Sequence, residues 1–390
     1  MRLAFYSPLN PVSTGISDYS EELLPLLARE FDITLIVDGY KPSNPALAAF
    51  PVLNADELVS RSSSFDLILY HMGNSPAHAG IYRTLLEVPG VVVMHDVVLH
   101  HLRAWQTVDR RDVAGYKQAM RAEYGDAGAE LAELEATWLA GLDRFDFPLS
   151  GAVARAARAL VVHSEYAARQ LQTLAPQAPI AVIPMGVPLE PPASSAAARN
   201  ALGLPDSGSI VAAFGEIHPN KRVTVALSAF ARFHARHPDS LFMLIGRESP
   251  NYDVTDVIDR LGIRGAVRLV GFSPRADYER YVAGADVCLN LRYPTAGETS
   301  ASLLRLFAAG KAVIVTRTGA YADMPAGTCA AIEADEYEEE MLAAHIELLA
   351  ARPDLRAQLG ANAREFAEKC HTLELSAASY TNWLRAVAAG

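Results

Sequence analysis

L-R-Y-P-T-A-G-E-T-S-A-S-L-L-R-L-F-A-A-G-K-A-V-I-V, residues Leu291 to Val315, is the stretch from which the rest of the chain can be read. An apolar run, Ala285 to Leu291, leads into a Pro/Gly loop. The loop opens an amphipathic segment that stops at Gly310, and a second apolar run, Ala312 to Thr316, follows. Strand, loop, helix and strand, with both strands apolar throughout, is the grammar of a buried parallel sheet. The pattern predicts a helix whose first residues are Thr299, Ser300 and Ser302. The first turn of a helix has unpaired N–H groups and about half a positive charge, so it holds an anion. Glu298 stands just before that turn, and one carboxylate can accept hydrogen bonds from two sugar hydroxyls at once. Simple capping of the helix by Glu298 and Thr299 is the competing reading.

The same alternation recurs along the chain. It starts with a strand at Leu3 to Tyr6, a helix from about Ser17 to Glu30 and a strand at Ile33 to Val37. Further strands read at Leu67 to Tyr70, Val91 to Met94, Ala159 to Val162 and Ile180 to Ile183. The rhythm lapses between 103 and 150, where helical text takes over. A Pro/Ala/Ser-rich stretch, Leu189 to Ser195, separates this series from a second one that begins at Ile210 to Phe214. Two βαβ series joined by a short linker predict an α/β protein of two domains whose strand ends line a common cleft, because open parallel sheets bind ligands at the carboxyl ends of their strands.

Candidate ligand groups sit at those ends. The loop Pro8 to Gly15 follows the first strand, and Gly15 allows backbone to approach a ligand closely. His71 and Asn74 follow one strand, and His95 and Asp96 follow the next. His100 and His101 lie nearby, but no carboxylate or Cys joins these histidines at ligand spacing, which argues against a metal. In the second series Gly215-Glu216-Ile217-His218-Pro219-Asn220-Lys221-Arg222 puts two adjacent cations at an expected helix start, an unfavourable place for them unless an anion binds there. Gly246 and Arg247 end one strand and Gly271-Phe272 the next, a turn on which a flat base could rest.

Composition excludes several classes. Hydrophobic residues are 51% and charged residues 20%, enough for buried cores and unlike a disordered chain. A net charge of −11 argues against nucleic acid as a partner of the whole chain. Part of the acidic excess lies in Glu333 to Glu340, read as a solvated loop and helix start. Three scattered cysteines form no metal or redox spacing and fit a reducing compartment. The chain opens on a strand in place of a secretory signal, and no apolar run reaches the roughly 18 residues that cross a bilayer. A cytoplasmic location follows, with membrane contact limited to a peripheral one at the inner face. No G-x-G-x-x-G is present, so a nicotinamide or flavin enzyme is disfavoured.

Taken in order, S-T-G-I-S-D-Y (Ser13 to Tyr19), V-M-H-D (Val93 to Asp96), V-H-S-E (Val162 to Glu165), I-P-M-G-V (Ile183 to Val187), G-E-I-H-P-N-K-R (Gly215 to Arg222) and G-E-T-S with A-A-G-K-A-V-I-V resemble the GT-B glycosyltransferases, and more narrowly the retaining family 4 group. The resemblance implies two Rossmann-like domains facing each other across a cleft. Residues 1–187 would form the acceptor-side domain with its helical insertion at 103–150, and 188–372 the donor domain. The helix in 373–390 would cross back to pack on the first domain. It implies a metal-independent hexosyltransferase with no cofactor. The donor would be a nucleoside-diphosphate sugar and the acceptor a sugar, glycan or lipid-linked glycan, in polysaccharide or glycolipid assembly. Catalytic roles would fall to His95, Lys221 and Glu298. The donor would lie against Gly15, Glu216, Arg222, Gly246, Arg247, Phe272, Thr299, Ser300, Ser302 and Arg305; the acceptor against Asn10, Asp18, His71, Asn74 and Asp96. Two positions depart from the family: Glu216 stands where Arg is usual, with Arg222 expected as the second cation, and Arg305 stands where a second Glu would hold the ribose. Those departures keep open a non-catalytic nucleotide-sugar-binding subunit; a GT-B nucleotide-sugar epimerase is the same-fold alternative, disfavoured because the helical insertion after His95 suggests room for a separate acceptor.

Overall fold

The computed structural model of the protein describes residues 1–139, 141–190, 193–250 and 252–390. Part of the Leu189 to Ser195 stretch therefore lies outside the described residues. The chain divides into two compact units. The first comprises Met1–Gly186, Ala296–Thr299 and Leu373–Gly390; the second comprises Val187–Thr295 and Ser300–Thr372. The tetrapeptide Ala296–Thr299, expected with the second half, thus groups with the first.

The first unit is built on seven parallel strands: β1 (Arg2–Tyr6), β2 (Asp32–Val37), β3 (Val52–Asn54), β4 (Leu67–Met72), β5 (Val91–Met94), β6 (Ala159–Val162) and β7 (Ile180–Val182). Their order across the sheet is β3-β2-β1-β4-β5-β6-β7. β4, β5 and β6 are buried along their whole length. That burial is why they read as continuous apolar runs without alternation. β1 pairs with β2 on one side and β4 on the other, so the chain reverses its direction of travel across the sheet between β1 and β4. The crevice outside such a reversal is where open α/β sheets bind ligands. Helix Gly15–Leu27 leaves this point, capped by Thr14, whose side chain accepts from Ser17 N–H. Gly15, read as a loop residue, is therefore the first residue of the helix.

The insertion holds helices His100–Gln106 and Val113–Ala136, the latter broken at Gly125, which has a left-handed φ of 66°. Tyr116, Met120, Ala132 and Leu149 give it a small core of its own. Helix Leu373–Ala389 packs on helix Gly15–Leu27 within the first unit. There Tyr19 Oη donates to Tyr380 Oη at 3.4 Å, Arg385 pairs with Glu30 at 2.7 Å and Arg158 donates to the Val387 carbonyl at 2.7 Å.

The second unit carries six parallel strands: β8 (Ile210–Phe214), β9 (Leu241–Ile245), β10 (Val267–Gly271), β11 (Val287–Asn290), β12 (Ala312–Thr316) and β13 (Ala330–Ile332). Their order is β10-β9-β8-β11-β12-β13, with the reversal between β8 and β11. The stretch that decided the fold is β11, a loop, helix Ala301–Ala308 and β12. The strand is shorter than the Ala285 to Leu291 run, and the helix begins after Thr299 and Ser300. Among the described residues no helix is long and apolar enough to cross a membrane.

Candidate active site

In the first unit the adjacent strands β4, β5 and β6 each deliver a histidine to the carboxyl end of the sheet: His71 within β4, His95 just after β5 and His163 just after β6. His71 Nδ1 lies 2.9 Å from His95 Nε2, and the two rings stack with centroids 5.2 Å apart. His163 follows at 5.0 Å from His95. Tyr19 closes the row edge-on, 5.6 Å from His95 and 5.5 Å from His163. Burial drives the imidazole pKa values of His71 and His95 well below the usual range, and the neighbouring His163 adds to the shift. Both rings are therefore neutral near pH 7. His95 keeps one ring atom, Nδ1, that is buried and makes no hydrogen bond among the described residues.

Several expected acceptor-side residues are engaged within the protein. His71 is fully buried behind His95, so it supports that ring and does not face an acceptor. Asn74 is used three times: its N–H donates to Asp96 at 2.7 Å, its Oδ1 accepts Leu102 N–H at 3.0 Å, and its Nδ2 meets His101 Nδ1 at 2.9 Å. It ties the β4 loop to helix His100–Gln106. Asn10 Nδ2 donates to Asp18 at 3.3 Å and Asn10 N–H to Glu21 at 2.7 Å, which fixes the loop after β1. His100 Nδ1 donates to the Phe147 carbonyl at 2.6 Å, so it too serves packing. Among the described residues no group of three or more His, Cys, Asp or Glu side chains suits a metal ion.

Glu298 also belongs to this unit. Val97 N–H and Val98 N–H both donate to the Ala296 carbonyl, at 2.7 and 3.0 Å. Gly297 has a φ of +82°, and a Cβ there would come within 2.8 Å of Val97 Cγ2. Only glycine lets the segment carrying Glu298 lie against the residues that follow His95 and Asp96.

The second unit presents a pocket at its reversal point, lined by apolar side chains of β8, β9 and β11 together with Gly215, Glu216, Lys221 and Asn290. β8 ends in Gly215 and the chain turns with His218, whose side chain accepts from Asn220 N–H, into the single turn Pro219–Lys221. The long helix starts only at Val223, so the two cations lie before it. Lys221 lines the pocket. Arg222, with a left-handed φ of 55°, does not: its Nε is 3.1 and 3.0 Å from the two carboxylate oxygens of Glu338, and its Nη2 bonds the same group. Glu338 is buried. The expectation of Arg222 as second cation fails for this reason, and so does the solvated reading of the whole 333–340 run.

Gly246 is explained by packing. A Cβ there would sit 1.8 Å from the Gly215 carbonyl oxygen, so the glycine lets the end of β9 pass the end of β8. Beyond it Arg247 lies over the exposed Phe272 ring at 4.5 Å, bringing two expected donor residues together. Glu216 is exposed beside the pocket.

Ser300 is the N-cap of helix Ala301–Ala308, accepting Leu303 N–H at 3.2 Å, and Thr299 precedes the cap. Ser302 Oγ receives Asn290 Nδ2 at 3.0 Å. Asn290, Arg292 and Tyr321 went unrecognised in the sequence. The signal was there, since an asparagine and an arginine interrupt the apolar run C-L-N-L-R. Arg292 is buried, its N–H donates to Thr316 Oγ1 at 3.0 Å and its guanidinium lies 5.7 Å from the centre of the Tyr321 ring.

Two parallel sheets of this order and length define a class. Anabaena HepE in complex with UDP is similar with a TM-score of 0.70 at 17% identity, covering 99% of this chain and 100% of that one. Sucrose-phosphate synthase from Thermosynechococcus elongatus is similar at 0.70 and 16%, covering 100% of this chain and 99% of that one. The architecture is that of the GT-B glycosyltransferases. Residues 194–366, which contain this pocket, match the model of the family Glycosyl transferases group 1. The D-inositol 3-phosphate glycosyltransferase of Saccharomonospora viridis is 31% identical over 225 residues, 54% of this chain and 51% of the relative. The chain thus spans about half the length of that curated relative.

Proposed function

We propose that the protein is a retaining, metal-independent glycosyltransferase that moves a hexose from a nucleoside-diphosphate sugar to an acceptor hydroxyl. The carrying observation is the convergence of Lys221, the backbone of Gly215 to Ile217 and Asn290 at the reversal point of the second sheet, inside the family segment. The HepE neighbour is described in complex with UDP, which supports a nucleotide-sugar donor. In this reading Lys221 and the first turn of helix Ala301–Ala308 stabilise the charge that develops on the leaving diphosphate. The bond from the anomeric carbon to the phosphate oxygen breaks and the bond to the acceptor oxygen forms on the same face. The acceptor proton passes to the departing phosphate oxygen, so no carboxylate nucleophile is needed. Phosphate charge is met by the cation and by N–H groups in place of a divalent ion. The acceptor class is a sugar, glycan or lipid-linked glycan in polysaccharide or glycolipid assembly, at the inner face of a membrane.

A thermal-shift screen against UDP-, GDP- and dTDP-sugars tests the donor assignment, because a ligand that binds only the folded state raises apparent stability by mass action. One of them raises Tm and is slowly hydrolysed without acceptor. Binding with no turnover at all points to the non-catalytic subunit, and donor isomerisation points to an epimerase.

A further inference from the structure

A second cavity, of about 350 Å³, opens at the reversal point of the first sheet. That is the size of a small-ligand site. Its walls come from the carboxyl ends of three neighbouring strands: Ser7 and Pro8 after β1, Asp38 and Tyr40 after β2, Gly80 and Arg83 beyond β4. None of the residues expected on the acceptor side, Asn10, Asp18, His71, Asn74 or Asp96, lines it.

Two opposite charges stand in this cavity. Tyr6 Oη donates to Asp38 Oδ1 at 2.5 Å. A Cβ on Gly80 would lie 2.3 and 2.6 Å from the two carboxylate oxygens, so only glycine lets Asp38 lie against the first turn of helix Ala79–Glu87. The partial positive charge of that turn favours a carboxylate there. Tyr40 Oη accepts Leu9 N–H at 3.0 Å and ties the β2 loop to the β1 loop. Packing thus accounts for Oδ1 and for the walls. It leaves two groups over: Asp38 Oδ2 accepts no hydrogen bond among the described residues, and Arg83 makes no ion pair with Asp38 or with any other of them. Both residues are exposed.

One carboxylate and one guanidinium give the cavity no net charge, which disfavours a phosphate or carboxylate ligand. They suit a sugar ring, since the carboxylate accepts from a hydroxyl and the guanidinium donates to hydroxyl oxygens beside it. Pro8, Val12, Pro76 and Ala77 add the apolar wall that the C–H face of such a ring needs. Asp38 follows β2, whereas the candidate catalytic residue His95 follows β5, three strands along and about 14 Å away at the usual strand spacing. One sugar ring does not touch both.

We propose that this cavity binds a neutral sugar unit of the acceptor other than the unit that receives the hexose, with Asp38 and Arg83 on its hydroxyls. The acceptor is then a glycan of at least two units. The inference rests on the transferase reading above.

The test is calorimetric titration of the methyl glycosides of glucose, galactose and mannose, of neutral disaccharides built from them, and of glucuronate and glucose 6-phosphate. At least one neutral disaccharide binds the wild type more tightly than its component methyl glycosides and than either anion. Asp38→Asn keeps an acceptor for Tyr6 but loses the charge, and Arg83→Ala removes an exposed side chain, so both variants melt as the wild type does. Each lowers the affinity for that disaccharide about tenfold, the scale of a hydrogen bond to a charged group. With the same disaccharide as acceptor, the loss appears in KM and not in kcat. Undiminished affinity in either folded variant overturns the proposal. So do tighter binding of an anion, a methyl glycoside that binds or accepts as well as the disaccharide, binding without transfer, and no binding of any probe. A protein that turns over no nucleotide sugar loses the transferase reading and this inference with it. A donor that is hydrolysed while Asp38→Asn and Arg83→Ala leave sugar affinity unmoved overturns the inference alone.

Discussion

The two sheets share one strand order about their reversal points, 3-2-1-4-5-6 in each unit's own count, yet their carboxyl ends are furnished in opposite ways. The first ends in a row of buried imidazoles packed between Phe5 and Tyr19, in which His71 and His95 meet ring nitrogen to ring nitrogen. The second ends in backbone, a lysine and a hydrogen-bonded chain of asparagine and serines. Topology says where a ligand can bind, but side chains decide what kind of ligand. A dry imidazole row suits a neutral sugar face, and a lysine among N–H groups suits a phosphate. The contrast can be broken at three points.

The largest effect is expected at Lys221. Lys221→Ala removes the pocket's cationic group and lowers turnover at saturating donor by two to three orders of magnitude, the scale of losing one charge-stabilising donor. Stability stays within about 0.5 kcal/mol because Lys221 is not a core residue. Unchanged turnover at saturating donor removes Lys221 from the reaction.

Arg222 tests the same contrast from inside. It is adjacent to Lys221 in sequence but bound to Glu338, whose side chain is 3% exposed. Arg222→Ala strands a buried carboxylate and costs about 3 kcal/mol of stability by chemical denaturation, with turnover of the folded fraction little changed. Adding Glu338→Ala recovers much of the loss. The opposite result, full stability with weakened nucleotide binding, places Arg222 on the donor and not on Glu338.

That pair also shows where the sequence was legible. Apolar runs and their spacing announced both sheets, and the glycines and polar residues that follow them announced the carboxyl ends of the strands, because burial and backbone geometry are local constraints. The partner of Arg222 lies 116 positions away in a stretch of acidic residues that reads as a solvated face. A charge run shows no sign of which member will be buried, since that depends on how helix Glu338–Ala351 docks on helix Val223–His234. His71 and Asn74 were misassigned for the related reason that a polar residue at a strand end looks the same whether it meets a ligand or its own neighbours. Tyr321 was missed because its bond is to Asn290, 31 positions away, and sequence alone does not bring the two together.

The smallest effect is a pH dependence confined to the first unit. Burial pushes the imidazole pKa of His78 from 6.5 down to about 4 and those of His71 and His95 well below the same starting value. A histidine depressed in the folded state takes up protons first in the unfolded chain. Its neutral burial therefore costs no stability above about pH 6.5, and stability is lost as the pH falls below that value toward the folded pKa. From pH 7 to pH 5 His78 alone accounts for a loss of about 2 kcal/mol, and His71 and His95 act in the same direction. In the second unit Asp354, which Arg352 holds near 2, titrates below this window. Denaturation curves at pH 7, 6 and 5 should thus show stability falling. His78→Asn, which replaces the titrating ring with an amide, should flatten the slope. A slope unchanged by that substitution would mean that His78 is hydrated and titrates alike in the folded and unfolded chain. Stability that rises on acidification would mean that His71 and His95 are charged in the folded state, so that the dry end of the first sheet would not stand.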